Sequence, residues 1–119
     1  MEASREAVRM DKSQLVNLDG PIQIHPGQEL ILDLPVKPED GWHWDLELPT
    51  NEQILSMTGD SVVQDEPATG LNGDVQVMRF LGVAAGTQDL YIGYLNDGQR
   101  VSGAPYLSIR VVVKKENGS

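Results

Sequence analysis

The sequence predicts an all-β protein, an immunoglobulin-like antiparallel β-sandwich of seven to eight strands. Three observations carry this reading. Proline and glycine recur about every ten residues, and the short stretches between them alternate apolar with polar side chains at period two. Helical periodicity is thin, because only the first dozen residues have a helix-compatible composition and nothing there repeats at 3.6 for more than two turns. Turn chemistry agrees, since Asp19-Gly20, Asn72-Gly73 and Asp97-Gly98 offer the positive φ angles of tight connections. Strands with one wet face and no helical crossover pack as two sheets face to face; a closed barrel is the alternative.

The elements follow in order. Residues 1–12 read as a flexible N-terminal arm or one short helix, 13–113 as a single sandwich domain, and the polar 114–119 as a flexible tail. Weak strand signals lie at 13–18 and 21–24. In "QELILDL" (28–34), Leu30, Leu32 and Leu34 share one face while Glu29 and Asp33 take the other. In "WHWDLEL" (42–48), Trp42, Trp44, Leu46 and Leu48 form an apolar stripe, and His43, Asp45 and Glu47 a polar one. Weak strands are expected at 54–57 and 61–64, and strong ones at 75–83, 89–95 and 106–113. Leu90, Ile92 and Tyr94, then Leu107, Ile109, Val111 and Val113, are the expected core stripes of the last two.

Composition removes several functions. The 119 residues hold 9 Lys plus Arg against 18 Asp plus Glu, a net charge of −9, which disfavours nucleic acid and anionic membrane surfaces. There is no cysteine, so disulfides, thiolate metal sites and a cysteine nucleophile are absent. No apolar run is long enough to span a bilayer, and the first residues do not read as a leader; if the protein is exported, its leader is expected to precede residue 1.

Catalytic and metal sites are weakly signalled. His43, Asp45 and Glu47 share a strand face, but neighbours there stand roughly 6.5 to 7 Å apart, too far for one ion, so a solvated face is the expectation. His25, in "HPG", reads as a turn residue, and no serine stands in a glycine-flanked elbow. "GLNGD" (70–74) lacks the lysine and following helix of a phosphate cradle. No catalytic residue, cofactor or metal is expected.

The segment Lys37-Pro38-Glu39-Asp40-Gly41-Trp42-His43-Trp44 resembles the chagasin family of cysteine-peptidase inhibitors, whose members show Asn-Pro-Thr-Thr-Gly, an aromatic, any residue, and Trp. "VAAGTQDLYIGYL" (83–95) is similar to the family's Ala-Gly-Thr turn and penultimate strand, and Gly70-Leu71-Asn72-Gly73 stands where the family has Gly-x-Gly-Gly. The resemblance runs from about Pro26 to Val113. It implies a sandwich whose three loops at one end form a wedge that enters the cleft of papain-like peptidases and blocks it reversibly without being cleaved. By position the wedge is Lys37, Pro38, Glu39, Asp40 and Gly41, then Gly70, Leu71, Asn72 and Gly73, then Asn96, Asp97 and Gly98, with Arg100 nearby. The implied partner is a papain-like cysteine peptidase or another protein, met by a monomer that is periplasmic, at a cell surface or secreted.

Two departures from the family pattern keep a second reading open. The family's third loop carries Arg-Pro-Trp where this chain has Asn96-Asp97-Gly98, with Arg100, Pro105 and Tyr106 only later. Such anchors often contribute more than about 2 kcal/mol to an interface. Glu39 and Asp40 replace two threonines near the peptidase's thiolate and imidazolium, where a charge at about 4 Å is worth on the order of 1 to 4 kcal/mol of either sign. The alternative is a non-inhibitory adaptor or recognition domain that keeps the family's frame.

Overall fold

The structure, a computed structural model, describes residues 6–64 and 73–115. Nine strands are present in this range: β1 (Val8–Asp11), β2 (Ile22–Ile24), β3 (Glu29–Pro35), β4 (Trp42–Leu46), β5 (Leu55–Val63), β6 (Val75–Gly82), β7 (Gly86–Asn96), β8 (Gln99–Arg100) and β9 (Tyr106–Val113). One short helix, α1 (Lys12–Val16), follows β1. The first sheet runs β1-β3-β6-β5 and the second β2-β9-β7-β4, with β8 added to β7.

The core is the space between the two inner faces, and the period-two stripes fill it. Leu30, Leu32 and Leu34 of β3 are fully buried, as are Leu90 and Ile92 of β7; Leu107, Ile109, Val111 and Val113 of β9 are nearly so. Trp44, Met78 and Phe80 complete the interior. Burying a large apolar side chain stabilises by roughly 1.5 to 3 kcal/mol, so these stripes fix the register that puts them inward. The apolar stripe expected at 42–48 ends early: β4 stops at Leu46, and Leu48 is 58% exposed.

Five local expectations change. Two edge pairs are parallel: β1 with β3, from Val8↔Leu30 to Asp11↔Asp33, and β2 with β9, from Ile22↔Val111 to Ile24↔Val113. The N-terminal segment pairs with one sheet, crosses through α1 and pairs with the other, a path that a purely antiparallel reading does not contain. Residues 8–11, assigned to a flexible arm, are therefore a strand, tied outside by the Arg9 fork on Asp33 at 2.6 and 2.9 Å.

Residues 12–16, of which 13–16 fall in the weak strand signal at 13–18, are helical because Asp11 and Gln14 form a capping box: the Asp11 carboxylate accepts the Gln14 N–H and the Gln14 side chain accepts the Asp11 N–H, both at 2.9 Å. The weak strands at 54–57 and 61–64 are one strand, β5, with a bulge between Met57 and Gly59. Finally, Gly20 lacks the positive φ expected of Asp19-Gly20, whereas Gly73, Asp97 and Gly98 have it.

Candidate functional site

Two of the connections meet at one end of the sandwich, and Gly73 and Asp74, which lead into β6, adjoin them. The first, between β3 and β4, makes a single turn of 3-10 helix at Pro38–Asp40 and ends on Gly41 in the left-handed region. Pro38 at the first helical position presets φ, and Gly41 takes the φ of +86° that other residues resist. The Asp40 and Trp42 N–H groups both donate to the Lys37 carbonyl, at 3.1 and 3.2 Å, which closes the loop on itself.

Beneath this loop lies an aromatic stack. Tyr94 of β7 is paired in register with Trp44 of β4, and its ring stands 4.6 Å from the Trp44 ring and 4.8 Å from the Trp42 ring. The polar ends hold the loop's entrance: Trp44 Nε1–H donates to the Pro35 carbonyl at 2.7 Å, and the Tyr94 hydroxyl accepts the Lys37 N–H at 3.1 Å. Two tryptophans beside one loop thus serve a single purpose. Trp44 is buried in the core, Trp42 covers the other face of Tyr94, and the loop is set on a rigid base. Burial holds the Tyr94 phenol above its ordinary value, the Lys37 N–H opposes this, and the nearby Asp40 and Glu39 charges add to the rise.

The position of β4 is fixed from across the sandwich. Gln76 of β6 is a buried polar residue on the core side, and its amide does what a neighbouring strand would do: Oε1 accepts the Trp44 N–H and Nε2 donates to the Trp44 carbonyl, both at 2.7 Å. Nε2 also donates to Asp60 of β5 at 2.8 Å, so both sheets are joined below the loop end.

The β7–β8 hairpin completes the edge. Asp97 (φ +49°) and Gly98 (φ +80°) form its two-residue turn, in the conformation that matches strand twist. The Asp97 N–H donates to the Gly41 carbonyl at 2.8 Å, and Asn96 Nδ2 donates to the Asp40 carbonyl at 3.1 Å. The contact is close: a side-chain carbon at Gly41 would meet Asp97 Oδ1 at 2.6 Å. The approach to the middle connection joins the same end, where the Val36 N–H donates to the Asp74 carbonyl at 3.1 Å. A cavity of about 440 Å³ lies here, lined among others by Lys37, Glu39, Gly73, Asp74, Tyr94 and Pro105.

Of the residues assigned to the wedge, Lys37, Pro38, Glu39, Asp40 and Gly41 therefore lie beside Asn96, Asp97 and Gly98, with Gly73 adjoining. Gly70, Leu71 and Asn72 lie outside the described residues. Arg100 stands one pair back from the hairpin turn, opposite Leu95. The sequence reading did not anticipate Gln76, whose partner is a backbone 32 positions away with no local signal, nor the carbonyl acceptors at Asp40 and Gly41.

These features define a class, an immunoglobulin-like β-sandwich that presents braced loops along one end. A family model described as chagasin family peptidase inhibitor I42 matches residues 23–113, and the chain belongs to that family. The fold is shared with the crystal structure of the cysteine protease inhibitor EhICP2 from Entamoeba histolytica, at TM-score 0.75 and 14% identity over 95% of this chain and 100% of that one. The solution structure of Amebosin aligns at TM-score 0.68 and 18% identity, covering 94% of this chain and 100% of the other. PbICP-C, in its complex with falcipain-2, aligns at TM-score 0.50 and 19% identity over 96% and 95% of the two chains. Curated protein sequences contain no match.

Proposed function

We propose that the protein inhibits papain-like cysteine peptidases by reversible occlusion of the active-site cleft with the loop edge of residues 37–41 and 96–98, to which 70–73 are assigned by sequence position. The observation that carries this is the pair of hydrogen bonds from Asp97 and Asn96 to the carbonyls of Gly41 and Asp40, which makes two loops one surface. Loops already fixed in place lose little conformational freedom on binding, so more of the contact energy appears as affinity. Membership of a peptidase-inhibitor family supports the reading, as do the structural likeness to the cysteine protease inhibitor EhICP2 and the complex of PbICP-C with falcipain-2.

The edge carries Glu39, Asp40 and Asp97 against Lys37, so the target is a peptidase whose cleft accepts acidic loops. Contacts are rich in main chain, and no group of the inhibitor takes part in bond chemistry. A periplasmic, cell-surface or secreted location belongs to the same proposal and is checked by cell fractionation. The inhibition is tested by titrating papain and one bacterial papain-like peptidase. The expected result is saturable loss of activity that returns on dilution; full activity of both enzymes at micromolar protein would contradict it and favour the recognition-domain reading.

A further inference from the structure

Gly93 stands in the interior of β7, opposite Asp45 of β4 on one side and Tyr106 of β9 on the other. A glycine inside a strand packs no side chain of its own and marks a place where another group comes close. Here the group is Glu47, because a side-chain carbon at position 93 would meet its Oε2 at 2.5 Å and its Cδ at 3.0 Å. Glu47 follows β4 and donates its N–H to the Tyr91 carbonyl at 2.7 Å. Its carboxylate pairs with Arg100 of β8; the Glu47 side chain is 18% exposed and the Arg100 side chain 61%. The Arg100 guanidinium also stands 5.5 Å from the centroid of the Tyr106 ring. Arg100 thus reaches across the outer face of β7, held by a carboxylate from one side and an aromatic face from the other.

We infer that Glu47, Arg100 and Tyr106 form a latch over Gly93 that holds the β7–β8 hairpin in the geometry its partner meets, so that Arg100 is a positioning residue and not a partner contact. The inference rests on the inhibitory reading above. β8 offers only the pairs Leu95↔Arg100 and Asn96↔Gln99, a ladder too short to fasten the hairpin by itself. An exposed ion pair alone would also be weak. In this one the carboxylate is largely shielded, and the planar guanidinium is shared with a ring, an arrangement that lysine does not reproduce.

The test compares hydrogen exchange and inhibition in three variants of the full chain. Glu47→Gln keeps shape and removes charge, Arg100→Lys keeps charge and removes the fork, and Arg110→Gln breaks the Asp89 ion pair on the same outer face as a control. The latch predicts exchange about threefold to tenfold faster at residues 96–104 in the first two variants and not in the control, with the global unfolding midpoint unchanged. It predicts a matching rise in the inhibition constant, and a double variant no weaker than either single one. Unchanged exchange in both latch variants overturns the inference. So does weaker inhibition by Arg100→Lys with Glu47→Gln normal in both readouts, which would make Arg100 a direct contact. If the unaltered protein inhibits neither peptidase, the functional reading fails separately, and the exchange comparison still decides the latch.

Discussion

The Tyr94 side chain lies between two indole rings and ends on the Lys37 N–H, so core packing and loop position depend on the same residue. Tyr94→Phe keeps the stack and removes the acceptor, which should cost about 1 kcal/mol at neutral pH. It should also change the alkaline limb of stability. The folded-state pKa of Tyr94 is raised, chiefly by burial, above the ordinary phenol value that it regains on unfolding. Stability linked to this proton is therefore complete below about pH 10 and is lost as pH rises through the folded-state value. Urea unfolding across that range should show a steeper loss for the native chain than for Tyr94→Phe; parallel curves would contradict the assignment.

Among the elements, β4 depends on a side chain for the strand partner it lacks on one edge. Gln76→Leu preserves volume but leaves the Trp44 N–H and carbonyl buried and unpaired, at a cost of about 2 to 4 kcal/mol. Gln76→Glu should also destabilise at neutral pH, since a carboxylate faces the Trp44 carbonyl and Asp60 in place of a donor. Denaturant midpoints check both, with an unchanged slope showing that compactness is kept.

Elements with a buried stripe were legible in the sequence because burial imposes period two: the stripes of β3, β7 and β9 lie where the alternation puts them. β1 was not legible, since four residues in a charged segment carry too little pattern and its partner lies more than 20 positions away. α1 was misread although Asp11 and Gln14 spell a capping box, because the apolar residues after it also fit a strand. β5 was split because its glycine reads as punctuation, whereas Gly59 adjoins a bulge within one strand.

At the scale of the whole molecule, the sheets act as a frame and the loop end as the surface they present. The arginines Arg9, Arg79, Arg100 and Arg110 pair with carboxylates along the outer faces, while Glu39, Asp40 and Asp97 belong to the loop end of a chain of net charge −9. The candidate site was partly legible. Pro38, Gly41 and the Asp97-Gly98 pair announce themselves by backbone need, and the structure turns at both places. Their mutual contact was not legible, because it is made through the Gly41 and Asp40 carbonyls, which every residue possesses. Asn96 shows the difference: by sequence it marks a missing arginine, and in the structure it ties one loop to the other.

The central claim is that this edge is the surface that meets a peptidase. Hydrogen exchange of the protein, alone and with an excess of papain or a bacterial papain-like peptidase, tests it most directly. The account predicts slowed exchange at residues 37–41, 73–74 and 96–98 with the outer sheet faces unchanged; protection confined to those faces, or none with either enzyme, would contradict it.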